Sequence, residues 1–133
     1  MRWLLKWQRQ MYRKFSHQQY LNLETFRKTG AGVKTPVWFV QDQEIIYVRT
    51  SANSGEVKRI HNNPCVNIAP CKMDGTLVGD WLPALASEVN DEVTARKVDQ
   101  LLGKKYGILK KLFSKAAECF NMEYTILKLK GSV

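Results

Sequence analysis

The short spacing between apolar, β-branched runs is the feature that most constrains the fold. Tyr20–Phe26 reads as a first strand, with Leu21, Leu23 and Thr25 on one face. Arg27-Lys28-Thr29-Gly30-Ala31-Gly32 is a glycine-bearing hairpin loop, and a second strand returns over Val33–Val40. Asp42-Gln43 makes the next turn, before a third strand over Glu44–Arg49. Parallel neighbours need a crossover of about a dozen residues or more, so these connections predict antiparallel pairing and disfavour a doubly wound sheet. Pro36 cannot donate to a ladder, so it marks an edge, a bulge, or a place where something other than a strand approaches.

Beyond residue 50 the pattern continues with one helical interruption. Ser54 to Arg59 opens a short basic helix, ended by Asn62-Asn63-Pro64, and Cys65–Pro70 is a fourth strand. Met73-Asp74-Gly75 is a hairpin turn, and strands are expected over Thr76–Asp80 and Leu85–Val89, broken around Pro83. Asn90-Asp91-Glu92 begins a helix with acids at its positive end. Val98, Leu101 and Leu102 form its buried stripe, and Gly103 with Lys104 and Lys105 closes it. A second amphipathic helix carries Ile108, Leu109, Leu112, Phe113, Ala116, Ala117 and Phe120, and the chain returns to a strand over Met122–Lys130. At the start, Trp3, Leu4, Trp7, Met11 and Phe15 recur at mostly helical spacing over residues 1–15. The opposite face of that helix is cationic; it could lie on a membrane surface, but capping a barrel or a partner subunit is the preferred reading. The expectation is one mainly β domain over 1–133: an antiparallel barrel with peripheral helices across 91–120.

Bulk properties narrow the function classes. A chain of 133 residues, 44% apolar and 25% charged, fits one globular domain. It has no run of about 18 apolar residues, and residues 1–15 lack the apolar core of a signal peptide, so a cytoplasmic protein is expected. Cys65, Cys71 and Cys119 show no metal-binding spacing and are expected as free thiols. With only His17 and His61 as histidines, no zinc or iron site is expected. The net charge of +9 points to anionic partners: nucleic acid, an acidic membrane surface, or a phosphorylated small molecule.

Arg49–Pro64 is the candidate binding stretch. Thr50, Ser54 and Gly55 supply hydroxyls and a glycine between a strand and a helix, with Arg49, Lys58 and Arg59 as cations. Backbone N–H groups and positive charge together suit a phosphate. The alternative is an ordinary strand-to-helix turn with Ser54 as N-cap.

Several segments, in order, resemble one family. They are Tyr-Leu-Asn-Leu-Glu-Thr-Phe-Arg-Lys-Thr-Gly (20–30), Thr-Pro-Val-Trp-Phe-Val (35–40), Tyr-Val-Arg-Thr (47–50), Ser-Gly-x-Val-Lys-Arg (54–59), Asn-Asn-Pro (62–64) and Ala-Pro-Cys (69–71). Together they resemble the pyridoxamine-phosphate-oxidase-like split barrels, most closely the small branch of deazaflavin-dependent oxidoreductases. Lys-Lys-Tyr-Gly at 104–107 also looks like that branch. The resemblance implies a six-stranded antiparallel split β-barrel of the FMN-binding type. It implies a homodimer with FMN or 5-deazaflavin coenzyme in grooves between subunits. By position, Thr35, Pro36, Val37 and Trp38 fall on the strand along the ring. Thr50, Ser54 and Gly55 fall at the phosphate, with Lys58 and Arg59 just beyond. One departure is Glu56, where the family usually carries lysine on the phosphate. A carboxylate about 4 Å from a phosphate would cost several kcal/mol at intermediate dielectric.

No sequence pattern suggests a catalytic dyad, and His17 and His61 are expected to be dispensable. This suits a flavin-type enzyme, because hydride chemistry belongs to the cofactor. The leading expectation is an oxidoreductase acting on a small organic substrate. Against it stand a non-catalytic cofactor-binding or interaction protein of the same fold and, less favoured, a basic nucleic-acid-binding barrel. Trp38 and Trp81 could wall the ring or be core aromatics, and together with Phe39 they suggest an apolar subunit interface. Cys71 is expected as a small buried hydrophobe.

Overall fold

The computed structural model describes residues 6, 9, 13–43, 45–119 and 123–131; within 45–119, the side chains at 113, 114 and 116–119 are not described. Residues 6, 9 and 13–15 are helical, whereas the rest of the expected helix over residues 1–15 lies outside the described residues. The elements that follow are β1 (Tyr20–Phe26), β2 (Gly32–Val37), β3 (Phe39–Asp42), β4 (Ile45–Ser51) and α1 (Gly55–Asn62). Then come β5 (Cys65–Cys71), β6 (Leu82–Glu88), α2 (Glu92–Tyr106), α3 (Ile108–Cys119) and β7 (Tyr124–Gly131).

All strand pairs are antiparallel, in the order β2-β1-β5-β6-β7-β4-β3. The two edge strands, β2 and β3, are consecutive and separated only by Trp38. A sheet whose opposite edges are one residue apart must curl into a barrel, with the broken strand closing the ring. The fold is therefore a mainly β split barrel with peripheral helices. The expected second strand over Val33–Val40 is corrected to two pieces that pair with different neighbours, β2 with β1 and β3 with β4.

Period-two alternation fills the barrel. Leu21, Leu23, Ile46, Val48, Val66, Ile68, Leu127 and Leu129 form its interior, with Phe15 and Phe39 meeting edge to face at 5.7 Å. α1 plugs one end by placing Val57 and Ile60, three residues apart on one face, in this cluster. A second cluster lies where α2 covers the sheet: Val98, Leu102 and Tyr106 pack on Val40 and Tyr47. Leu101 is only partly buried beside it.

Three expected boundaries move. Gly103 and Lys104 do not close α2; it runs to Tyr106, and Gly107 ends it with φ +57°, a left-handed backbone suited to glycine. Thr76–Asp80 is not a strand, and only Leu77 bridges back to Cys71. Pro83, expected to break the chain, lies inside β6 opposite Asn67. Phe39, expected at an interface, is fully buried in the barrel. Among the described cysteines, Cys65 is exposed and Cys71 buried, both as free thiols, and burial pushes the Cys71 thiol up.

Candidate functional site

The interrupted strand opens a cleft of about 460 Å³. Thr35, Pro36 and Val37 line it from the end of β2, Trp38 from the break, and Arg49 and Thr50 from β4. Pro36 belongs to an edge strand, so its missing N–H costs no ladder bond on the open side. Tyr20, Glu56, Met73 and Tyr124 complete the lining.

Met73 arrives by way of the β5–β6 hairpin. Gly75, at φ +91°, donates its N–H to the Lys72 carbonyl at 2.9 Å, and a Cβ there would touch Pro36 Cγ at 3.4 Å. Buried Asn22 fastens this loop by donating from Nδ2 to the Gly75 carbonyl at 3.2 Å. Sequence spacing could not have found Met73, Tyr20 or Tyr124, because each comes from a separate element.

Trp38 is positioned from below by the end of α2. Its ring stacks on Tyr106 at 4.2 Å between centroids and 8° between planes. The Tyr106 hydroxyl accepts the Phe39 N–H at 3.0 Å and donates to the Gln19 carbonyl at 2.7 Å. It thus pairs a backbone donor and a backbone acceptor beside the strand break. Burial raises the Tyr106 pKa, so the phenol stays a neutral donor.

Arg49 on β4 and Arg59 on α1 present the positive charge. Arg49 lies 4.0 Å over the Tyr124 ring and 4.0 Å from Asp99, whose carboxylate is held more closely by Lys110 at 2.8 Å. Asp99 therefore neutralises Arg49 only weakly. Arg59 Nε donates to buried Thr25 Oγ1 at 2.6 Å. Its guanidinium then lies across Gly55, close enough that a Cβ there would be 2.6 Å from it.

Ser54 is the N-cap of α1: its Oγ accepts the Val57 N–H at 3.4 Å and a bond from Thr50 Oγ1 at 3.4 Å. The structure therefore brings Thr35, Pro36, Val37, Trp38, Arg49 and Thr50 into one cleft. Ser54, Gly55 and Arg59 stand beside it at the start of α1, and Lys58 is exposed outside its lining. Glu56 is half-buried and faces the cleft. His61 lies outside this lining and pairs with Glu88 at 2.8 Å.

These features define a class: an antiparallel split barrel with a mostly apolar cleft at its broken strand. Solved structures share that fold. The heme storage protein HutZ from Vibrio cholerae is 19% identical, with a TM-score of 0.69 over 89% of this chain and 84% of its own. A candidate pyridoxamine 5'-phosphate oxidase from Listeria innocua is 13% identical, with a TM-score of 0.64 over 92% and 90%. A protein named F-420 reductase is 15% identical, with a TM-score of 0.57 over 92% and 93%. No protein-family model and no curated protein matches the chain at the sequence level. The pyridoxamine-phosphate-oxidase-like likeness is thus one of fold.

Proposed function

We propose that the cleft at the broken strand binds the ring of FMN or a 5-deazaflavin coenzyme and that the protein is an oxidoreductase acting on a small organic substrate. The observation that carries this reading is the convergence of the Thr35–Trp38 backbone, Arg49 and Thr50 on one cleft. Its volume, about 460 Å³, is within the roughly 300–1,000 Å³ usual for small-molecule sites.

The residues fit such a group. An edge strand with proline near its end offers a flat, partly apolar wall, and the Trp38–Tyr106 stack forms the floor. Thr50, the first N–H groups of α1 and the Arg59 guanidinium form the cradle suited to a phosphate. Arg49, rather than exposed Lys58, is the second cation. The cofactor supplies hydride transfer when bound; the chain's share is orientation and exclusion of water. The name F-420 reductase on a similar fold supports the deazaflavin arm.

Glu56 favours a second reading. Its carboxylate lines the cleft, next to the proposed phosphate cradle, and would oppose an anion there. A member of the fold that binds weakly or without turnover would carry such a residue. The test is the absorbance spectrum of purified protein titrated separately with FMN and deazaflavin, followed by turnover with reduced cofactor and conjugated acceptors. Saturable spectral shifts with turnover support the enzyme, and shifts without turnover support the second reading. No shift with either cofactor, in wild type and in Glu56→Lys, overturns both.

A further inference from the structure

The strand break separates two clefts. Beyond Trp38, on the far side of Phe39, a cavity of about 530 Å³ is lined by Phe15, Gln18, Val40, Leu101 and the pair Lys104 and Lys105, among others. None of it is used by the flavin-type reading.

Lys105 is the unusual group. Its Nζ donates to the Phe39 carbonyl at 2.8 Å and sits 3.4 Å from the centre of the Phe39 ring. Two other lysines each hold a carboxylate: Lys97 meets Asp42 at 2.8 Å and Lys110 meets Asp99 at 2.8 Å. Among the described residues no carboxylate lies within ion-pair distance of Lys105. The titratable groups around it are Lys104 and Tyr106 on its own helix and His17 on the chain before β1; β3 contributes Gln41 to the lining. Burial brings the amine's pKa down to about 8. Such an amine is neutral far more often near neutral pH than an ordinary lysine. A neutral amine can keep one N–H on the Phe39 carbonyl and still present its lone pair to the cavity.

We propose that Lys105 is a reactive amine and that the cleft around it takes small aldehydes bearing an anionic group, which it binds as an imine. The Nζ lone pair attacks the carbonyl carbon, a C–N bond forms, and the oxygen becomes a hydroxyl. Loss of that oxygen with both amine protons, as water, leaves the C=N bond, with nothing oxidised or reduced. Lys104, exposed beside it, supplies the charge that selects an anionic aldehyde, and the side-chain amides of Gln18 and Gln19 supply donors.

The experiment uses the intact wild-type protein with glyoxylate or propanal, cyanoborohydride to trap imines, and peptide mapping by mass spectrometry. Lys105 should label at least about tenfold faster than exposed Lys72 and Lys111, with a rate profile half-maximal near pH 8. Glyoxylate should outpace propanal several-fold at Lys105, and Lys104→Gln should remove that preference. Labelling of Lys105 no faster than Lys72, or half-maximal only above about pH 10, overturns the reactive amine. Equal rates for the two aldehydes overturn the anionic ligand class.

Discussion

At the level of single residues, the chemistry depends on side chains held by one or two bonds. Arg59 crosses Gly55 only because Thr25 anchors its Nε and glycine has no Cβ. Arg59→Ala should weaken cofactor binding by about 1.5–3 kcal/mol, the range for a hydrogen bond to a charged group. Gly55→Ala should push the flexible guanidinium aside, lowering affinity in the same titration while leaving the melting temperature nearly unchanged. Unchanged affinity in both variants would remove Arg59 from the site. Tyr106→Phe keeps the stack on Trp38 but deletes the acceptor of the Phe39 N–H and the donor to the Gln19 carbonyl. Leaving buried groups unpaired costs about 1–3 kcal/mol, which urea denaturation should register with an unchanged m-value.

At the level of elements, Glu88 connects three pieces of the fold. From the end of β6 its carboxylate accepts Thr125 Oγ1 of β7 at 2.6 Å and meets His61 of α1 at 2.8 Å. The Thr125 bond, then the His61 bond, holds its pKa below the ordinary 4.5. A carboxyl with a lowered folded-state pKa stabilises fully above its unfolded pKa, and that contribution is lost as pH falls through the folded value. Wild type should therefore lose stability on acidification below about pH 4.5 more steeply than Glu88→Gln, measured as melting temperature against pH. His61→Ala should cost stability but leave turnover within about tenfold of wild type, since its partner is structural; a loss beyond about a hundredfold would reveal general acid–base chemistry.

For the whole molecule the exposed apolar groups set the expected assembly. Met73, Leu77 and Val78 are exposed along the hairpin that borders the cleft. A homodimer is the expected state, burying above about 2,000 Å² in total so that apolar contact outweighs repulsion between two chains of charge +9. Light scattering at micromolar concentration should give twice the 15.4 kDa chain mass, and a monomer would count against a shared groove. Phe39 no longer argues for this interface, because it lies inside the barrel. Trp38 is bound to Tyr106 instead of standing free.

What the sequence determined by itself was local. Period-two alternation placed Leu21, Leu23 and Thr25 inward, and short hairpins forced antiparallel pairing. Ser54 and Asp91 were legible as helix starts, since capping depends on residues only three apart. The tertiary structure decided whatever needed distant segments to meet. An apolar run through Trp38 reads as one strand, and only closure of the barrel, with β1 on one side and β4 on the other, divides it. Pro83 looked like a strand breaker, yet β6 tolerates it opposite Asn67. Arg49, Tyr124 and Asp99 lie on three elements, so no spacing predicts their contact. The lowered basicity of Lys105 follows from burial against Phe39, 66 residues away in sequence, which a linear pattern cannot encode.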